Sequence, residues 1–355
     1  MNIKKMLAIC SEKLSKLFVL KMDYDYTNAR EILASYSEKP QGHCFTENNI
    51  RIDYDLQVVI PAYNVEEHLN TCLQSIRPLF KSKYRVIVQI IDDGSTDSTS
   101  RIVDRFSDTV SGNICVIHQN NKGLSSARNV GLQTVRGRYI MFLDSDDYLP
   151  ESFDIEQILG VIEDNDILQG SWLSVDTSQK FIQHKTKKMS GYAWGKLYYY
   201  KVFENFKFPE GYWFEDTPIK LIISGKELQI KVIDDCFYCY RVNPNGITSK
   251  AINDPKIIDT YWITELCFDE LIDFGVNYDQ SAYDRLLHQS VVNQIRIRKQ
   301  PSRIRRAVFT LTAEIIEKYF RDMNSIRYTE IEDAIKKREF YRFELLTIAN
   351  WWNPK

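Results

Sequence analysis

From Leu56 to Leu143 the chain alternates short unbroken apolar runs with longer segments whose apolar residues return at every third or fourth position. The runs Leu56–Ile60, Val86–Ile91, Ile114–His118 and Tyr139–Leu143 predict strands, and Val65–Leu79, Ser98–Phe106 and Ser125–Thr134 predict helices. Strand–helix repeats of this length predict a parallel sheet with right-handed crossovers. Runs that are apolar throughout, rather than alternating, suit strands buried on both faces. Ser95 and Thr96 ahead of the second helix, with Asp97 in its first turn, supply capping chemistry. Beyond residue 150 the pattern predicts a helix at Glu151–Asp164 and strands at Ile167–Val175 and Lys180–His184. A helix-rich stretch around Trp194–Val202, a helix near Asp216–Ile223 and an alternating strand at Leu228–Val242 follow. Ile257 to Ala349 reads as several helices broken at Pro301 and Asn324.

The first fifty residues differ. Ile3, Leu7, Cys10, Leu14, Leu17 and Phe18 recur at helical spacing among Lys4, Lys5, Lys13, Lys16 and Lys21. Glu12 and Lys13 interrupt the apolar stretch, which argues against a secretory signal. The segment is expected to be a helix docked on the protein's own core or one lying on anionic lipid. Residues 22–54 read as a loosely structured connector. The expected organisation is an N-terminal helix and connector over 1–54, an α/β domain over 55–250 and a helical region over 251–355.

Composition adds limits. With 355 residues, 44% hydrophobic and 26% charged, the chain can bury a sizeable core. No run approaches the roughly 20 apolar residues of a bilayer span. A net charge of −2 supplies no field for nucleic acid, so no nucleic-acid partner is expected. Seven scattered cysteines fit a reducing compartment and predict a cytoplasmic protein, with peripheral contact at the inner face of the plasma membrane as the alternative. Cys236 and Cys239 form one C-x-x-C without a second pair at zinc spacing, so they read as strand-core residues.

The chemistry gathers at the strand ends. Asp144-Ser145-Asp146-Asp147 follows Tyr139–Leu143 directly, placing three carboxylates where open α/β sheets bind ligands. Such oxygen-only donors suit Mg²⁺ or Mn²⁺ rather than zinc, although acidic residues also close strands as ordinary turns. The first strand ends in Pro61-Ala62-Tyr63-Asn64, with Glu66 shortly after, and Tyr63 offers a ring on which a base could stack. The second ends in Asp92-Asp93-Gly94-Ser95, where Asp93 could accept from a base N–H. Parallel strands point their C-terminal ends one way, so these tips converge. Between the third strand and its helix, Asn121-Lys122-Gly123-Leu124 leads to Arg128, a permanent cation suited to phosphate or a base edge. Neither a P-loop nor a G-x-G-x-x-G is present. Trp194 and Trp213 read equally as sugar platforms or as core. Arg296, Arg298, Lys299, Arg303, Arg305 and Arg306 form a basic run that is either a solvated face or a contact for anionic lipid or a lipid-linked pyrophosphate.

These motifs, from Val59-Ile60-Pro61-Ala62-Tyr63-Asn64 through Asp92–Asp97 and Asn121–Asn129 to Phe142–Asp147, resemble family 2 glycosyltransferases of the GT-A fold. Ala193-Trp194-Gly195-Lys196-Leu197-Tyr198, Phe208-Pro209-Glu210-Gly211 and Phe214-Glu215-Asp216-Thr217 resemble the bacterial enzymes that build capsules, exopolysaccharides and O-antigens. The resemblance covers roughly residues 56–250. It implies a Rossmann-like, mostly parallel sheet flanked by helices, and a UDP-sugar donor whose uracil is held by Pro61, Ala62, Tyr63 and Asp93 with help from Arg128. It places Asp144 at the ribose, adds Glu66, Lys122 and Ser145 to the donor-binding set, and makes Asp146 the ligand of Mn²⁺ or Mg²⁺, with Asp147 as the alternative. It makes Asp216 the general base of an inverting transfer to a glycan or lipid-linked saccharide. A sugar nucleotidyltransferase is a weaker reading, because the glycine-rich loop such enzymes carry after the first strand is replaced by Pro61-Ala62-Tyr63-Asn64. A nucleotide-sugar-binding protein without turnover is the third.

Overall fold

The computed structural model describes residues 21–176, 178, 180–243 and 251–352. The expected helix over the first twenty residues lies outside them. The chain divides into two compact units, one of residues 41–244 and the other of residues 1–40 with 245–355.

The unit of residues 41–244 is an eight-stranded mixed sheet with helices on its faces. Its elements are β1 (Asn49–Ala62), α2 (Glu66–Ser75), β2 (Val86–Asp92), α3 (Thr99–Thr109), β3 (Asn113–His118), α4 (Leu124–Gln133) and β4 (Thr134–Phe142). Then come α5 (Ile155–Ile162), β5 (Ile167–Val175), β6 (Phe181–His184), β7 (Lys196–Tyr199), α6 (Thr217–Leu221) and β8 (Ile230–Arg241). The strand order is β3-β2-β1-β4-β7-β5-β6, with β8 paired to β5. Pairs β1/β2, β1/β4, β2/β3 and β5/β8 are parallel; β4/β7, β5/β7 and β5/β6 are antiparallel. This is the α/β architecture expected, mostly parallel and flanked by helices.

Both faces of the central strands are buried. Val58, Ile60, Val88, Ile90 and Met141 pack with Leu69, Cys72 and Leu73 of α2. On the opposite face α4 lies so close to β1 that a Cβ at Gly131 would stand 2.5 Å from Val59 Cγ1. Gln57 is wholly buried in β1, but its amide donates to Gln89 and Gly131 and accepts from the Arg136 and Gly137 N–H groups. A buried amide satisfied on all sides adds no desolvation debt.

Three expectations change. Residues 22–54 are not a loose connector: α1 (Tyr26–Tyr36) and the first half of β1 lie within them. Val135 and Gly137 of β4 extend the β1 pairing well before Leu56. Within Trp194–Val202, Lys196–Tyr199 is strand β7, which closes the gap between β4 and β5, and only a short 3-10 helix at Tyr200–Phe203 follows it. The start of α3 also shifts: its N-cap is Ser98, without a side-chain cap bond, while Asp97, just outside the helix, accepts from Thr99 N on Oδ1 and Ser95 and Thr96 are bonded to Asn64.

His118 ends β3 between two carboxylates, with Nδ1 2.8 Å from Asp92 and Nε2 3.0 Å from Asp104. The Asp92 contact, aided by Asp104 and opposed by burial, raises its pKa above the usual 6.5. Protonation is therefore favoured by folding. The stabilisation is present in full below the ordinary histidine pKa and fades as pH rises through the folded value. The wild-type Tm should fall between pH 6 and pH 8 by more than that of His118→Gln; equal falls would remove this role.

The second unit contains α1, α7 (Asp259–Asp269), α8 (Gln280–Arg296), α9 (Ser302–Tyr319), α10 (Thr329–Lys336) and α11 (Phe340–Trp352). Breaks fall at Pro301 and around Asn324, as the sequence predicts. Half of the basic run is consumed in this packing. Arg296 donates to Thr260, Arg305 pairs with Glu344, and Arg306 stacks on Phe340 and bonds Tyr341; Arg298, Lys299 and Arg303 are exposed. No helix among the described residues is long and apolar enough to cross a membrane.

Candidate active site

The parallel register brings the strand tips together. Ala62 pairs with Asp92, Asp92 with His118, and Val59 with Phe142, so β1, β2, β3 and β4 end on one edge. The first two loops are laced to each other. Asn64, at φ +46°, takes the Thr96 N–H on its side chain and donates its own N–H to Ser95. Glu66 accepts from Ser98 N, so its carboxylate ties the loops together. Pro61 and Ala62 are buried at the end of β1, whereas Tyr63 is 49% exposed and presents its ring to solvent.

Asp93 is buried and spent on the next loop. It accepts from Gln119 Nε2 at 2.6 Å, Lys122 N at 2.9 Å and Gly123 N at 2.8 Å. These bonds fix the chain entering α4 at Gly123, whose φ of +89° suits glycine. The Lys122 side chain is exposed.

One face of α4 grips the second half of the domain. Ser125 Oγ donates to Pro209 O at 2.9 Å, and Asn129 both accepts from Phe208 N and donates to Phe208 O, each at 2.8 Å. Arg128, on the same face by helical spacing, is 2% exposed beneath the strand tips. Its Nη2 donates to Asp144 Oδ1 at 2.7 Å and its Nη1 to Glu215 Oε1 at 2.6 Å, with Phe208 against the guanidinium. Burial opposes the charge, but Asp144 and Glu215 outweigh it and hold Arg128 protonated. The side chain that the sequence offered to a phosphate or base edge thus joins two carboxylates.

The three acids of the fourth tip separate by environment. Asp147 is 1% exposed, accepts Tyr238 Oη–H at 2.8 Å and Arg241 N at 2.6 Å, and is held well above the usual carboxylate pKa by burial and by Asp146 and Asp144. Tyr238 Oη also receives the Asp144 N–H. Asp146 is half-buried, and beyond its own backbone N–H no donor among the described residues reaches its carboxylate. Burial and the neighbouring Asp144 raise its pKa, against His68 and Arg241. Arg241 donates to the Asp146 carbonyl and to His68 Nδ1. Ser145 is buried.

This donor set fits a hard divalent ion. Among the described residues no group of three His, Cys, Asp or Glu side chains is placed to hold a metal ion by itself. Asp146 with the free side of Asp144 would supply the one or two carboxylates that Mg²⁺-type ions take when substrate phosphates and water complete the shell.

Asp216 stands ahead of α6, half-exposed, without a side-chain bond to the helix N–H groups. Phe214, two residues before it, has φ +62°, a conformation that costs a bulky residue about 1–3 kcal/mol. Glu215 between them is tied to Arg128, so the loop bearing Asp216 is anchored to the tip bearing Asp144. Trp194 is 7% exposed and belongs to the core; Trp213 is half-buried. Glu215 was visible beforehand only as half of the E-D pair, and nothing local signalled Tyr238 or Arg241.

Comparison with known proteins agrees with this fold. Residues 57–225 match the sequence profile described as Glycosyl transferase family 2. Glycosyltransferase GlyA of Streptococcus pneumoniae is 28% identical over 224 residues, 56% of this chain and 32% of that protein. The uncharacterised glycosyltransferase EpsJ of Bacillus subtilis is 32% identical over 222 residues, 54% of this chain and 62% of that one. The chain therefore spans less than two thirds of either relative. The crystal structure of Staphylococcus aureus TarS 1–349 in complex with UDP superposes with a TM-score of 0.53 at 17% identity, covering 82% of this chain and 90% of that one, a likeness of fold.

Proposed function

The chain carries a glycosyl transferase family 2 domain, and from that premise we infer that it transfers a sugar from a UDP-sugar to a hydroxyl of a growing bacterial surface polysaccharide or lipid-linked oligosaccharide. The observation that carries this reading is the Arg128 bridge, which joins Asp144 at the donor edge to Glu215 next to Asp216. This supports a reading in which the proposed metal-binding tip and the proposed base act in one site, although about seventy residues separate Asp144 and Asp216 in the chain.

The acceptor oxygen bonds to the anomeric carbon as the carbon–oxygen bond to the diphosphate breaks. The acceptor's proton passes to Asp216, and a single displacement inverts the centre. Tyr63 offers its exposed ring to the uracil. Asp93 shapes the Lys122–Gly123 turn beside it, and Lys122 reaches into solvent at the same edge. Asp146, with Asp144, would hold Mn²⁺ or Mg²⁺, which would stabilise charge developing on the departing diphosphate. Asp147 is already engaged with Tyr238 and Arg241, which supports Asp146 as the ligand.

Thermal protection tests the donor side. UDP at about 100 times its Kd adds roughly 2.7 kcal/mol, about 5–10 °C for a domain of this size. That shift should require Mn²⁺ or Mg²⁺ and should be largely lost in Asp146→Asn. Equal protection in the presence of chelator would remove the metal from the site.

A further inference from the structure

The rings beside the acidic loop are stacked, and two of them open to solvent. Trp194 lies 4.5 Å from Tyr192 at 5°, 4.4 Å from Tyr238 at 12°, and 5.6 Å from Tyr240 at 14°. Trp194 and Tyr238 are buried, whereas Tyr192 is 43% and Tyr240 37% exposed. Trp172 stands edge-on to both Tyr192 and Trp194, which locks the set laterally.

A loop displaying a tyrosine is ordinarily mobile, but this one is pinned from beneath. Lys196 is wholly buried and donates to Ser190 Oγ at 2.7 Å, Tyr192 O at 2.6 Å and Trp194 O at 3.4 Å. Tyr198 Oη–H reaches Ala193 O at 2.9 Å. Burial drives the Lys196 ammonium down to about 7 although Asp216 pulls the other way. Burying an ammonium is costly, and here all three of its bonds go to the segment that presents Tyr192.

The stack is continuous with the acidic loop. Tyr238 binds Asp144 and Asp147. Tyr240 sits between Cys239, whose backbone pairs with Tyr148, and Arg241, which holds Asp146 and Asp147. Ser174 lies beside Tyr240 in register, and Ile182, 50% exposed, lies beside Ser174, so the open row runs outward across β8, β5 and β6. A rigid aromatic surface with hydroxyls at its rim matches a pyranose ring, whose C–H face is apolar and whose edge is polar.

We propose that Tyr192 and Tyr240 form the acceptor subsite, stacking on a pyranose residue of the saccharide that receives the transferred sugar. This rests on the glycosyltransferase reading above. The probes are tetrasaccharides of β-linked N-acetylglucosamine, β-linked glucose and α-linked glucose, titrated into the full chain with saturation-transfer NMR. At least one should receive saturation from aromatic protons. Tyr192→Ala and Tyr240→Ala should each weaken its binding about 3–10-fold, while Tyr192→Phe, which keeps the ring and loses only the rim hydroxyl, should keep most of it. The UDP thermal shift in the same samples reports the donor side. If UDP protects but no tetrasaccharide binds, or the alanine variants bind like wild type, the platform is overturned and the glycosyltransferase reading stands. If UDP fails to protect the wild-type chain, that reading fails and the platform falls with it.

Discussion

Asp216→Asn should lower the rate of sugar transfer about 10²–10⁴-fold, the usual worth of a positioned general base. Asparagine keeps the size and the hydrogen-bonding reach of aspartate but cannot take the acceptor's proton. The substitution should leave the fold intact, because asparagine is isosteric with aspartate and Asp216 is only half-buried ahead of α6. Glu215 should still hold Arg128, so the loop stays in place. The donor side should be untouched, with UDP and Mn²⁺ still raising the Tm. Initial rates at saturating donor and acceptor are the measurement. Wild-type turnover in a folded Asp216→Asn protein would move the base elsewhere, and Glu215 would be the next residue to examine.

Arg128→Met should cost about 3 kcal/mol, since removing one member of a buried ion pair leaves its partners uncompensated. For a domain of this size the loss is roughly 6–12 °C in Tm. Two carboxylates lose their shared cation at once, and the strand tip at Asp144 is no longer tied to the loop bearing Asp216. Activity should therefore fall further than the unfolded fraction explains. Arg128→Lys should rescue only part of it, because an ammonium lacks the rigid fork that sends one Nη to each carboxylate. A folded Arg128→Met enzyme with the wild-type Tm and rate would show the bridge to be incidental.

The two expectations differ in how far the sequence anticipates them. Asp216 is half of a contiguous pair and can be singled out from the chain. Arg128 can be singled out as well, but its partners cannot: Glu215 lies 87 positions away. The acids of Asp144-Ser145-Asp146-Asp147 show the same limit. Three carboxylates within four residues have equal claim to a metal in one dimension. Their environments diverge because β8 brings Tyr238 and Arg241 to Asp147, more than ninety residues later. Glu66 and Asp93 are similar, since the bonds that engage them come from neighbouring loops. The helical reading of Trp194–Val202 failed over Lys196–Tyr199 for a related reason. Apolar residues there recur at helical spacing, but pairing with β4 and β5 decided the conformation.

The sequence by itself determined the parallel half of the sheet, the edge where its tips converge, and the residue types gathered there. Local periodicity and turn chemistry act over a few residues, and parallel pairing then orients every C-terminal end alike. Only the tertiary structure decided which carboxylates are engaged and which stay open. It also decided that Arg128 is a brace and that Trp194 backs two exposed tyrosines. Burial and partner charges set these roles, and the groups supplying them arrive from distant parts of the chain.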